Sequence, residues 1–94
     1  MILGYRDRRT EDFARGARIK QFAPFRRQAE KALDRLEAAT SLHDLARFPG
    51  LHLEKLKGDR KGRYSIRVND QWRICFAWIH GSSGPTSVEI VDYH

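Results

Sequence analysis

Residues 64–79, YSIRVNDQWRICFAWI, contain the pattern that decides the fold of this 94-residue chain. Apolar and polar side chains alternate on both sides of residues 69–71, as is typical of two antiparallel strands joined by a short loop. A three-residue loop places the apolar side chains of both strands on one face, whereas a two-residue loop mixes the faces. The pattern therefore predicts a hairpin in which Val68 faces Trp72 and one side is buried.

The same register places Arg67 opposite Arg73 on the other side of the hairpin. Two guanidinium groups in direct opposition are unfavourable by a fraction of a kcal/mol up to about 1 kcal/mol. Either both side chains are solvated and diverge, or an anion such as phosphate lies between them. The sequence leaves both interpretations open.

The first half of the chain has a helical pattern. Apolar residues at helical spacing follow Pro24, which suits the first turn of a helix, and continue to Leu36. Shorter helices are predicted at residues 11–16, ended by a glycine, and from Ser41, where Asp44 completes a capping pattern, until the chain reaches Pro49.

The second half of the chain has the period of two that is typical of strands. Besides the hairpin, Val88 and Ile90 predict a strand near the end of the chain, and residues 51–56 and 1–5 are candidates for two more. No repeat or linker divides residues 1–94, so we expect one domain. Helices first and strands second predict an α+β fold, with N-terminal helices packed on a small, mostly antiparallel sheet.

Composition excludes several classes of protein. Hydrophobic residues make up 40% of the chain, which suffices for a core, yet no window approaches the roughly 20 apolar residues of a membrane span. The N-terminus lacks the apolar run of a secretory signal. Cys75 is the one cysteine and cannot form an internal disulfide. With four scattered histidines it does not resemble a zinc site either. We expect a cytoplasmic domain with no membrane association, no metal and no cofactor.

Positive charge is concentrated between residues 55 and 73. Eighteen Lys and Arg against twelve Asp and Glu give the chain a net charge of +6, which favours a polyanionic partner. The basic tip of this segment is either a solvated loop or a surface that follows RNA phosphates. The candidate RNA-binding residues are Lys55, Arg60, Lys61, Arg63 and Arg67. Tyr64 and Trp72 are candidates for base stacking, but we expect both in the core.

The last three residues bring together three functional groups. Asp92, Tyr93 and His94 supply a carboxylate, a phenol and an imidazole directly after an apolar strand, although chain ends are often frayed. Cleavage of RNA without a metal needs a base for the 2′-hydroxyl, an acid for the leaving 5′-oxygen and cations at the phosphate. If Asp92 or His94 is to approach Arg73, the strand must lose its regular pairing by about Asp92. We expect the other three histidines to be structural or solvated.

Several stretches resemble a known family. LKGDRKGRYSIRVNDQWRICFAW at residues 56–78 and VEIVDYH at residues 88–94 closely resemble the HigB branch of the RelE/ParE toxin superfamily, whose members are toxins of type II toxin–antitoxin systems. KALDRLEA followed by ATSLHDL, residues 31–45, is also similar to that branch. The resemblance covers nearly the whole chain and implies a RelE-like fold.

The resemblance also implies an activity and roles for individual residues. The expected activity is ribosome-dependent cleavage of messenger RNA. Lys57 and Arg73 match positions that hold the scissile phosphate, and His94 matches the residue that transfers a proton, with Asp92 and Tyr93 assisting it. The implied partners are the ribosome with its mRNA, a HigA-like helix-turn-helix antitoxin, and operator DNA bound through that antitoxin.

Two other functions stay open at this point. The ParE branch of the superfamily inhibits gyrase and does not cut RNA, so a shared fold leaves the function undecided. A basic module that binds RNA or the ribosome without chemistry is the other alternative. The closing VDYH sequence favours the nuclease branch.

Overall fold

The computed structural model describes residues 1–58 and 62–92 of the chain. Its helices are α1 (Arg8–Ala14), α2 (Arg26–Ala38) and α3 (Leu42–Ala46), with 3₁₀ helices at Lys20–Phe25 and Pro49–Leu51. Its strands are β1 (Glu54–Lys55), β2 (Arg63–Arg67), β3 (Trp72–Ala77) and β4 (Thr86–Asp92). The strands form one antiparallel sheet in the order β1-β2-β3-β4. This is the predicted α+β architecture.

The β2–β3 hairpin has the predicted register. Arg67 pairs with Arg73 and Ile66 with Ile74, and the Val68 N–H donates to the Trp72 carbonyl at 3.0 Å. The loop is held by the Asn69 side chain, whose Oδ1 accepts from the backbone N–H groups of Gln71 and Trp72. The large apolar side chains Tyr64, Ile66, Trp72, Ile74 and Phe76 therefore lie on one face.

Helices cover that apolar face and form the core with it. Ile66, Ile74 and Phe76 from the sheet are fully buried together with Phe22 and Leu36 from the helical layer. Trp72 lies against the rings of Phe22 and Phe25, with centroids 5.7 and 4.9 Å away. Tyr64 stacks on Phe76 at 6.0 Å. Both candidate stacking aromatics thus pack against the core, as expected.

Two of the α-helices, α1 and α3, begin at a side chain that accepts a hydrogen bond from a backbone N–H of the first turn. Asp7 accepts from the Thr10 N–H at 2.9 Å, so α1 begins three residues before its predicted start. Ser41 accepts from the Asp44 N–H and caps α3 as predicted. Pro24 is not in the first turn of α2; it lies in the preceding 3₁₀ helix, where the buried Phe22 and Phe25 fix the path of the chain.

The N-terminal segment runs parallel to β4 and covers part of its edge. The Leu3 N–H donates to the Pro85 carbonyl and the Arg6 N–H to the Val88 carbonyl, with a bridge between Tyr5 and Val88. Further along the strand, the Ile90 N–H donates to the Thr10 hydroxyl at 3.0 Å. The candidate strand at residues 1–5 is therefore not a regular strand but an extended segment with one β-bridge to the edge of β4. Of the candidate strand at residues 51–56, only β1 is formed.

Within residues 1–58 and 62–92, no helix has the length and apolar character needed to cross a bilayer.

Candidate active site

The sheet face that points away from the helices is called the outer face here. Side chains alternate between the two faces along β2, β3 and β4. The residues directly before and after the buried Ile66, Ile74 and Ile90 therefore point to the outer face. The outer face carries Arg63, Ser65, Arg67, Arg73, Cys75, Glu89 and Val91. Three of the arginines predicted from the sequence are therefore on one surface.

Arg73 is fixed in the middle of the outer face by two neighbours. Its Nε donates to the Ser65 hydroxyl at 2.8 Å, and its Nη2 donates to the His52 carbonyl at 2.6 Å. The Ser65 carbonyl is a further acceptor at 3.4 Å. His52 follows the second 3₁₀ helix with a φ of 45°, a left-handed conformation. A guanidinium anchored in this way keeps its charge and its plane in one place, which suits the recognition of a phosphate.

Arg67, which pairs with Arg73, turns to a different acceptor. Its Nη2 donates to the Asp70 carboxylate in the hairpin loop. The two facing guanidinium groups thus diverge, as the first of the two interpretations requires. They diverge toward protein acceptors, however, and not only toward solvent.

Arg63 takes part in an ion-pair network on the same face. Its Nη2 lies 3.1 Å from Glu89 and donates to the Ser87 carbonyl at 3.3 Å. Arg6 approaches the same Glu89 carboxylate at 3.5 Å. The Arg63 side chain is only 16% exposed, so it is held against Glu89 more than it is presented to solvent.

The two described lysines of the basic segment lie apart from Arg73. Lys55 is exposed and pairs with Tyr64, and facing residues point to the same side, so Lys55 belongs to the helical side of the sheet. Lys57 is exposed beyond Leu56, whose N–H donates to the Arg63 carbonyl. Arg67, the partner of Arg73, lies four residues further along β2 than Arg63. At roughly 3.3 Å per residue, the backbone at Arg63 is therefore about 13 Å along the strand from the backbone at Arg67. The backbone therefore does not bring Lys57 and Arg73 together.

Asp92 lies at the last described position of β4. It pairs with Trp72 and so points to the face opposite Arg73. Its Oδ2 accepts from the Gln71 amide at 3.0 Å. The predicted residues Arg60, Lys61, Tyr93 and His94 lie outside the described part of the chain, and so does any loss of regular pairing after Asp92.

No three His, Cys, Asp or Glu side chains within residues 1–58 and 62–92 are grouped closely enough to hold a metal ion. The outer face supplies an anchored cation, Arg73. An anchored arginine binds the phosphoryl oxygens of a nucleic acid and stabilises negative charge that develops on them.

Comparison with known proteins assigns the chain to a family. Residues 7–94 match the family described as RelE-like toxin of type II toxin-antitoxin system HigB. The chain belongs to this family. It is 38% identical over 85 residues to Toxin HigB-1 of Vibrio cholerae serotype O1 (strain ATCC 39315 / El Tor Inaba N16961), covering 86% of this chain and 87% of that protein. It is 44% identical over 64 residues to Endoribonuclease HigB of Proteus vulgaris, covering 65% and 66% of the two chains. The predicted HigB resemblance is confirmed.

In this HigB-family chain, sequence reasoning missed the residues that orient the arginines. Ser65 was detectable, because the hairpin register puts it diagonal to Arg73 on the same face. Glu89 was also detectable as the acidic residue among the apolar residues of β4. The His52 carbonyl gave no signal, because its position depends on the path of the chain between α3 and β1.

Proposed function

We propose that this toxin is an endoribonuclease that cleaves messenger RNA on the translating ribosome and thereby inhibits translation. The single observation that carries the proposal is Arg73, fixed by Ser65 and the His52 carbonyl in the middle of a cationic sheet face. Family membership supports a toxin with an antitoxin partner, and the name of the Proteus vulgaris relative supports the cleavage of RNA.

The reaction we propose uses side chains for every proton transfer. The 2′-oxygen attacks the adjacent phosphorus and the bond to the 5′-oxygen breaks, which leaves a 2′,3′-cyclic phosphate and a 5′-hydroxyl. One group removes the 2′ proton and another protonates the leaving oxygen. His94 carries out one of these two proton transfers, and Asp92 or Tyr93 carries out the other or orients His94.

Cations stabilise the charge that develops on the phosphoryl oxygens. Arg73 holds the scissile phosphate from the middle of the outer face, and Lys57, which follows β1, contributes a second cation through its long side chain. Arg67 and Lys55 guide the flanking RNA together with Arg60 and Lys61. Arg63 contributes positive potential from its pair with Glu89.

The proposed partners follow from the proposed activity and from membership of the toxin–antitoxin family. The ribosome presents the mRNA, so the toxin acts in the cytoplasm. A HigA-like helix-turn-helix antitoxin restrains it and links it to operator DNA.

The test is cleavage of a defined mRNA by the purified chain in a reconstituted translation reaction, mapped by primer extension. We expect wild type to cut the mRNA and His94→Ala to lose most of this activity. His43→Ala is the matched control, because His43 is exposed on α3 and has no proposed role. Intact mRNA with wild-type protein contradicts the proposal.

Two other outcomes identify the alternatives. Salt-sensitive RNA binding that survives His94→Ala, without any cleavage, indicates a binding module. Inhibition of gyrase supercoiling with unbroken mRNA indicates a ParE-like toxin. Either result rejects the endoribonuclease proposal.

A further inference from the structure

A second basic feature lies on the helical side of the molecule and extends to the end of β2, where Arg67 pairs with Arg73. It is a groove between α2, the 3₁₀ helix Pro49–Leu51 and the end of β2, with a cavity volume of about 290 Å³. Its floor is apolar and includes Ala32, Leu51 and Val68. Phe48 forms one wall and is 39% exposed, although large apolar side chains are usually buried.

Three cations surround this apolar floor. Lys31 and Arg35 project from successive turns of α2, and Arg67 reaches the groove from the end of β2. The Arg35 guanidinium lies over the Phe48 ring at 4.1 Å, which holds both side chains at the rim. No Asp or Glu is among the described residues that line the groove.

The apolar floor and the cationic rim together favour some classes of ligand over others. Phosphates of RNA gain nothing from an apolar floor, and the Phe48 face that would stack on a base is already covered by Arg35. A volume of 290 Å³ is at the small end for a ligand pocket and accommodates one large apolar side chain. Carboxylates that flank such a side chain meet Lys31 and Arg35, while Arg67, whose guanidinium donates to Asp70, adds positive potential.

We propose that this groove binds an acidic peptide segment of a partner protein, with one large apolar side chain in the cavity and glutamates or aspartates on both sides of it. The apolar anchor supplies binding free energy by leaving water, and the charges set the orientation of the segment and the selectivity for acidic sequences. The inference depends on the groove and not on the endoribonuclease activity. Arg67 is the one residue that the groove shares with the outer face.

The test uses a fluorescein-labelled peptide, Gly-Glu-Glu-Phe-Glu-Glu-Gly, and the full chain in a fluorescence-polarisation titration. We expect saturable binding that weakens at least tenfold with Lys31→Glu, and further with Lys31→Glu combined with Arg35→Glu. Arg8→Glu is the matched charge reversal on α1, outside the groove, and should change the Kd less than twofold. Circular dichroism establishes that each variant is folded.

Two further peptides separate groove binding from simple charge attraction. Replacing the phenylalanine by glycine keeps the charge, and replacing the glutamates by lysines keeps the apolar anchor; we expect both to bind at least tenfold more weakly. Equal binding of the glycine peptide, or no effect of Lys31→Glu, overturns the proposal. So does a single-stranded RNA that displaces the peptide and loses affinity to the same extent with Lys31→Glu, since the groove would then be a nucleic-acid surface.

Discussion

At the scale of single residues, Arg73 shows how position and orientation have different origins. Its place on β3 follows from the alternation of apolar and polar residues in the hairpin. The direction of its guanidinium follows from Ser65 and from the carbonyl of His52, which is 21 residues away in sequence. Because these acceptors fix the side chain before RNA arrives, binding a phosphate costs less side-chain entropy.

Replacement of Arg73 tests this anchored cation. We expect Arg73→Ala to lower the single-turnover rate of mRNA cleavage by about 10²- to 10³-fold, the loss typical for one donor to a developing oxyanion. Arg73→Lys should recover only part of the rate, because an ammonium cannot reproduce the planar fork. Arg27→Lys, an exposed change on α2, is the control. A rate for Arg73→Ala within threefold of wild type contradicts the assigned role.

Asp44 gives the α3 cap a dependence on pH. The Thr40 backbone N–H donates to this carboxylate at 2.8 Å and, with the Thr40 hydroxyl, lowers the pKa of Asp44 below its ordinary value of 3.8. Because the pKa is lower in the folded chain, the stabilisation is present above about pH 4 and is lost as the pH falls through the folded value.

The measurement is the free energy of unfolding of wild type and Asp44→Asn by chemical denaturation from neutral to acidic pH. We expect Asp44→Asn to be the less stable protein at neutral pH and the difference to shrink below about pH 4. Asp34→Asn on α2 is the control, because it shows how the loss of one carboxylate outside the cap changes the free energy of unfolding. A difference between wild type and Asp44→Asn that stays constant down to pH 2 contradicts the cap.

At the scale of elements, the edge of the sheet at β4 depends both on the strand itself and on its contact with the N-terminal segment. β4 carries a bulge opposite Cys75–Ala77, where Ser87 has a φ of 51°. Along this bulge, the N-terminal segment donates backbone hydrogen bonds to the carbonyls of Pro85 and Val88 and accepts one from the Val88 N–H. Covered strand edges resist pairing with other chains, so this short segment protects the sheet from association.

Gly84→Ala tests the packing of the N-terminal segment on β4. A Cβ at this position would lie 1.9 Å from the Met1 carbonyl oxygen, so the backbone of the segment must move. We expect a loss of about 1–3 kcal/mol in the free energy of unfolding, as for other overpacked sites. Gly50→Ala, whose Cβ meets no atom within 4 Å, is the control. Equal stability of Gly84→Ala and wild type would show that the segment does not contribute to the fold.

At the scale of the whole molecule, charge is distributed unevenly around a neutral core. Residues 55–73 contain seven Lys and Arg against two Asp, which accounts for five of the six net positive charges of the chain. Pairing with carboxylates reduces the effect of some of these cations, above all Arg63 beside Glu89. Formal charge alone therefore overstates how many cations meet RNA directly.

The salt dependence of RNA binding distinguishes direct contacts from general potential. Each phosphate contact in single-stranded RNA contributes about 0.7 to the slope of log K against log salt concentration. We expect Arg67→Gln to reduce that slope by about this amount. Arg63→Gln should reduce it less, because the Arg63 side chain is 16% exposed whereas that of Arg67 is 37% exposed. A larger change of slope for Arg63→Gln than for Arg67→Gln would reverse the roles assigned here.

The sequence by itself determined the features that depend on near neighbours. Alternation and loop length determined the β2–β3 register, and Ser41 with Asp44 determined the start of α3, because both follow from contacts within a few residues. The family followed from the VDYH ending and the long motif around the hairpin. Pro24 was misplaced by one turn, because the burial of Phe22 and Phe25 overrides the local preference for proline in the first turn of a helix.

Only the tertiary structure decided what the functional side chains contact. The contact of Arg73 with the His52 carbonyl, the pairing of Arg63 with Glu89 and the groove beside α2 each join segments that are far apart in the chain. The structure also placed Lys57 at a different level of the sheet from Arg73. Such contacts depend on the packing of helices on the sheet and on the path of loops. Alternation and spacing carry no information about either, because they report only which face a residue occupies.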